Sequence, residues 1–135
     1  MEAEKTLTNE EIIRELLDLL KKNAMKEPAN DVFEICSYVD GLEKKIATMT
    51  EELTSMQNQI REMQEDTLVN NAKKALAEAQ ERLNARCEQI KSQVSEVKVQ
   101  VKSTAKSIVD ETKAKGRAAL YRVTEFAGIK KRLLN

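Results

Sequence analysis

Residues 32–63 read VFEICSYVDGLEKKIATMTEELTSMQNQIREM. Within that stretch Val32, Ile35, Val39, Leu42, Ile46, Met49, Leu53, Met56, Ile60 and Met63 recur at alternating steps of three and four. Such alternation keeps a narrow apolar stripe on one side of a helix and marks a heptad seam. A second seam runs through Leu76, Gln80, Leu83, Cys87, Ile90, Val94, Val97, Val101, Thr104 and Ile108. The two are out of phase, because Met63 and Leu76 hold equivalent positions 13 residues apart, one short of two heptads. The slip falls in QEDTLVNN, residues 64–71, whose Asp66, Asn70 and Asn71 compete for backbone amides and favour turns or caps. The spacing predicts an antiparallel coiled-coil hairpin over residues 28–112 with its corner near 66–71.

In an antiparallel pair the numbers of facing residues sum to a constant. A sum of 136 centres the corner on Leu68 and sets Ile60 against Leu76, Met56 against Gln80, Leu53 against Leu83 and Met49 against Cys87. It also brings Glu52 towards Arg86 and Glu43 towards Lys91, exposed pairs worth a few tenths of a kcal/mol each. The competing arrangement is one unbroken helix of about 80 residues dimerising with its copy, which the lack of Gly or Pro at the corner permits. The hairpin is preferred because its corner coincides with the polar slip.

Working outwards, Thr8-Asn9-Glu10-Glu11 matches a capping box, with Thr8 capping an amide three residues on and Glu11 reaching back. Ile12, Ile13, Leu16, Leu17, Leu19 and Leu20 follow, an apolar band wider than a two-helix seam needs. This first helix, in an N-terminal capping segment 1–27, is expected to fade over Lys22 to Lys26, with Asn23 at its end and Pro28 in the first turn of the next. Beyond Ile108 the seam dissolves and Gly116 is the expected break. The C-terminal segment, residues 113–135, is then a basic amphipathic helix and tail, with Ala119, Leu120, Val123, Phe126 and Ala127 on one face and Gly128 as a left-handed cap.

Composition agrees with this reading and removes most chemistry. Charged residues make up 34% and aromatics 3%, with three Gly and one Pro among 135 residues, a profile of long helices rather than sheets. Without histidine there is no His-activated nucleophile, proton shuttle or His-bearing metal site. Cys36 and Cys87 are too few and too far apart for a disulfide framework or zinc site, which fits a reducing, cytoplasmic setting. The acidic N-terminus and charge-broken apolar runs predict neither export nor a membrane span. Residues 1–66 carry 16 acidic and 8 basic side chains, and residues 67–135 carry 7 and 15, so the two halves would attract if laid side by side.

No catalytic, cofactor-binding or metal residues are assigned. Carboxylates such as Glu10, Glu11, Glu51 and Glu52 lie where a solvated helix face would put them, and no phosphate-loop, dinucleotide or zinc-protease motif occurs. Residues 113–135 hold seven basic residues against Glu125 alone, enough for nonspecific phosphate contact. Sequence-specific nucleic-acid reading is not expected, because only Tyr121 and Phe126 could stack on bases. A peripheral lipid-surface or granule-binding role would use Leu120, Val123, Phe126, Ile129 and Leu133 for insertion; the alternative, which is preferred, is that the same face covers the first helix.

The segments NEEIIRELLDLLKKN, residues 9–23, and ALYRVTEFAGIKKRL, residues 119–133, resemble the ends of an uncharacterised helical family encoded on conjugative and other mobile elements of gut bacteria. That resemblance implies mobile-element cargo and supplies no catalytic or ligand-binding residue. The expectation is therefore an all-α hairpin with short N- and C-terminal helices packing on it. Its expected role is a non-catalytic scaffold or adaptor for a protein partner, self-associating as a homodimer. A specific form is an inhibitor acting by steric cover, such as an anti-CRISPR protein. The candidate interaction surface comprises Glu51, Glu62, Glu65 and Asp66, which could mimic phosphates, and the cations Arg117, Arg122, Lys130, Lys131 and Arg132.

Overall fold

A computed structural model of the chain describes residues 7–63 and 67–134. A 3-10 turn at Leu7–Asn9 leads into α1 (Glu11–Lys22), α2 (Lys26–Glu62) and α3 (Thr67–Lys115), and a 3-10 stretch Arg117–Thr124 precedes α4 (Glu125–Leu134). No strand occurs among the described residues. The fold is all-α, with α2 and α3 as an antiparallel helical hairpin and the shorter helices packed on it. Among the described residues no helix is long and apolar enough to cross a membrane. The chain divides into a terminal unit, Met1–Gly41 with Ser95–Asn135, and a middle unit, Leu42–Val94.

The expected corner at 66–71 falls only partly within the described residues. Residues 67–71 are already helical, so the interruption between α2 and α3 precedes Leu68, and Asp66 lies outside the described residues. Asn70 and Asn71 fall in the opening turns of α3. The one-residue slip between the seams marks an interruption without fixing where in the stretch it falls.

In the middle unit the seam residues are the protected ones. Met49, Cys87, Ile90 and Val94 are buried, while Leu42, Ile46, Leu53, Met56, Ile60, Leu76 and Leu83 are half-buried. Two helices shield only the facing stripe of each other, which leaves the flanks of that stripe in water. Gln80 takes a polar seam position, and its Nε2 donates to Leu53 O at 3.3 Å and to Gln57 Oε1 at 3.0 Å. It therefore lies against the turn of α2 that carries Met56.

The terminal unit is better covered because five segments converge there. Ile13, Leu16 and Leu20 of α1, Val32, Ile35, Cys36 and Val39 of α2, and Val101, Ala105, Ile108 and Val109 of α3 are fully buried. Leu120, Val123, Phe126 and Ile129 close this core, each at most 3% exposed. Leu120 and Val123, three apart, lie in the 3-10 stretch, and Phe126 and Ile129, again three apart, in α4. At about three residues per turn such a series stays on one side, whereas in an α-helix it drifts by about 60° per step. The expected left-handed cap at Gly128 does not form: α4 runs through it to Leu134, with Ala127 exposed and Ile129 buried instead. Gly116 does end α3, at φ +88°.

The capping box at Thr8 also does not form. Glu10 occupies the N-cap without a side-chain cap bond, because burial of Leu7 draws residues 7–9 into the 3-10 turn and sets Thr8 against Cys36. At its other end α1 closes in a Schellman turn, Ala24 N donating to Lys21 O at 3.1 Å and Met25 N to Leu20 O at 2.9 Å. Asn23 Nδ2 adds a bond to Leu19 O at 2.8 Å. The turn holds Ala24 at φ +56°, a left-handed conformation that glycine adopts without strain. Pro28 sits in the first turn of α2, where its missing N–H costs no helical bond.

Ion pairs join the acidic and basic halves inside the terminal unit. Glu10 and Glu15 of the first half reach Lys102 and Lys113 of α3 at 3.4 and 2.7 Å. Lys130 of α4 reaches Asp31 at 3.2 Å and also Glu34. Arg122 binds Glu125 at 2.8 Å, Ser107 Oγ at 2.7 Å and Glu111. The polar ties of the last segment thus go to α2 and α3.

Three outcomes follow. Ala24→Gly removes the left-handed strain and is expected to raise unfolding free energy by about 1 kcal/mol in denaturant titration. Phe126→Ala empties a fully buried site and is expected to cost about 3–5 kcal/mol, seen as a lowered melting temperature by circular dichroism. Stability should fall at both ends of the pH scale. Hydrogen bonds from Lys130 to Glu34 and from Arg122 to Glu111 hold both carboxyls below their ordinary range, so their contribution is complete above the unfolded value and is lost as pH falls through the folded one. Burial pushes the Cys36 thiol up to about 11, so the unfolded chain ionises first and stability declines from about pH 8.5 upward. Urea titrations across pH check both limbs, and Cys36→Ala should flatten the alkaline one.

Candidate protein-docking groove

The Schellman turn sets the end of α1 beside the start of α2 with a two-residue link, Ala24 and Met25, after the Asn23 cap. On α1, Ile13, Leu16 and Leu20 fill the core at steps of three and four. Leu17 lies about 100° round the helix from Leu16 and cannot join them. On α2, Val32, Ile35 and Val39 do the same, and Phe33 is turned away from Val32 by the same angle. Leu17 and Phe33 line one open groove of about 540 Å³ together with Lys21, Ala24, Met25, Lys26, Ala29 and Asn30. Its floor is apolar and its charged lining is cationic. Phe33 is 54% exposed, one of four large apolar side chains left exposed among the described residues, with Val99, Tyr121 and Leu134.

A second groove of about 490 Å³ runs along α1 between Asn9, Glu11, Arg14, Glu15 and Asp18. It is polar, and Glu15 is already committed to Lys113. Among the described residues no group of three or more side chains could hold a metal ion. Both cysteines are free thiols and buried, Cys36 in the terminal unit and Cys87 in the middle unit.

The residues singled out from sequence fare unequally. Glu51 and Glu62 are exposed on α2, and their separation of 11 residues returns them to nearly one face, about 20° apart. Glu65 and Asp66 lie outside the described residues. Arg117, Lys131 and Arg132 are exposed. Arg122 and Lys130 are instead tied down: hydrogen bonds to Glu125 and Glu111 raise the affinity of Arg122 for its proton, and those to Glu34 and Asp31 do the same for Lys130. They brace the terminal unit and offer a partner little free charge. Four of the five side chains a lipid-surface role would insert, Leu120, Val123, Phe126 and Ile129, are buried in the core; Leu133 is half-buried.

Phe33 and its lysines were not among the sequence candidates. The available signal was heptad phase, since Phe33 is an aromatic directly after the seam residue Val32, at a position that a helix pair leaves in water. No curated protein and no solved structure matches the chain. A family model does match, over residues 9–135, so that it takes in α1 to α4 and the whole groove. The chain therefore belongs to the family of unknown function DUF6674.

Proposed function

We propose that this protein is a non-catalytic protein-binding module, a scaffold or adaptor that acts in the cytoplasm by offering surface. The observation that carries this reading is Phe33, half exposed over an apolar groove that the terminal unit does not fill. Exposed aromatic side chains beside an apolar floor are the usual anchors of protein interfaces, and a binding module needs no active site. The burial of both thiols supports the same view, because a buried thiol with a raised ionisation point, as at Cys36, is a poor nucleophile. Carried on a mobile element, as the terminal segments' resemblance implies, such a module would serve as an inhibitor that covers a host defence or transfer component. A homodimer belongs to the same proposal: in the middle unit Leu53, Met56, Ile60, Leu76 and Leu83 are half-buried by one helix pair, and a second copy would cover them further.

Site-specific photocrosslinking in the native cell tests the reading. A photoreactive phenylalanine is placed in turn at Phe33, Glu51, Glu62, Arg117 and Lys131, all exposed positions. A crosslinked product of one discrete mass from at least one position is expected. Folded, expressed protein that gives no product from any of the five would overturn the proposal.

A further inference from the structure

We infer that the groove at the α1–α2 corner receives an acidic amphipathic helix of a partner protein, a bulky apolar side chain seating beside Phe33 while flanking carboxylates meet Lys21, Lys22 and Lys26. This deepens the protein-binding reading above and rests on it. The groove joins two features that such an occupant satisfies together. Its floor, from Leu17, Met25, Ala29 and Phe33, is apolar, and no carboxylate lines it. Its size is that of sites that take one or two large side chains rather than a broad flat surface. Helices bind such grooves through apolar anchors spaced three or four residues apart, leaving their flanking positions to read charge.

The cations supply the second feature. Lys21 and Lys26 line the groove and Lys22 is exposed next to them. None of the three is ion-paired to a described residue. They share this with Arg14, Arg117, Lys131 and Arg132 of the same unit, whereas Lys102, Lys106, Lys113, Lys115, Arg122 and Lys130 each have a carboxylate partner. Residues 1–41 hold ten acidic side chains and five basic ones, and three of those five gather here. Lys21 and Lys22 also suit the negative end of the α1 dipole, which is sufficient reason for them. Lys26 has no such reason: it stands in the first turn of α2, where the helix dipole disfavours a cation. A carboxylate from outside relieves that repulsion. A second copy docked groove to groove about a twofold axis would instead bring the three lysines against their own images.

Selection from an unbiased library decides the matter. Randomised helical peptides displayed on phage are panned against the full chain. Enriched sequences should be net acidic, with Leu, Met, Phe or Trp anchors three or four positions apart. Their affinity, read by fluorescence anisotropy with synthetic copies, should fall at least tenfold in Phe33→Asp and in the double variant Lys21→Glu with Lys26→Glu. It should also fall between about 50 and 500 mM salt. Circular dichroism establishes that each variant is folded, and the lysine pair, being on the surface, keeps the test valid should Phe33→Asp lose helicity. Neutral or basic winners, no enrichment, or equal binding to the folded variants overturns the inference. So does a dimer in light scattering that Phe33→Asp dissolves, since the occupant is then the chain's own copy. Crosslinks from Glu51 or Glu62 without any groove peptide sink this inference and leave the binding-module reading standing; silence in both experiments sinks both.

Discussion

Every helix of this protein has one apolar stripe, and the stripe must be covered by another element. That constraint sets how well each part is built. In the terminal unit five segments meet and the stripes of α1, α2, α3 and α4 vanish from solvent, with Phe126 and Ile129 closing the core. In the middle unit only α2 and α3 are present, and Leu53, Met56, Leu76 and Leu83 stay half-buried. The winding of the backbone is compatible with the same rule, since Leu120 and Val123, three apart, stay on one side of the 3-10 stretch, while α4 carries the buried Phe126 and Ile129.

Charge reinforces this arrangement without creating it. The division of the sequence into an acidic and a basic half is answered within the terminal unit, where Glu10, Glu15, Asp31 and Glu34 meet Lys102, Lys113 and Lys130. These pairs are partly exposed and each adds little to stability, but together they disfavour a parallel alignment of like halves. This pairing leaves Glu51 and Glu62, the described residues among the candidate phosphate mimics, exposed on α2. It also shows why Arg122 and Lys130 made poor candidates for an external partner: net charge counts side chains, whereas availability depends on neighbours.

The seams from Val32 to Met63 and from Leu76 to Ile108 were legible because a period of three and four is a property of the chain itself. The break at Gly116 was legible for a similar reason, a residue whose φ of +88° others rarely adopt. What failed were local rules that tertiary burial overrides. Thr8 had the sequence of a cap, but burying Leu7 was worth more and turned Thr8 towards Cys36. Gly128 had the composition of a stop, but Ile129 had to remain in line with Phe126. The groove was illegible for a further reason: it is lined by the half-buried Leu17 and the exposed Phe33, which stand on different helices and meet at the Schellman turn.

Several local choices at the α1–α2 corner depart from what folding alone favours, as do the exposed Val99 and Tyr121 elsewhere in the chain. Between residues 17 and 33 stand a half-buried leucine, an alanine held at φ +56°, a lysine in the first turn of α2 and a half-exposed phenylalanine. Each is mildly unfavourable for folding, and a glycine, a glutamate and two polar residues would have been the easier set. The short Schellman link holds the two helix ends at a fixed angle, so the surface they form is organised before anything meets it, which lowers the entropy lost on association. Gathered at one concave, apolar, cation-rimmed place, these departures are what the docking proposal accounts for. The acidic groove on the outer side of α1 shows no such departures: Glu11 suits the helix start and Glu15 is paired with Lys113, so folding alone accounts for it.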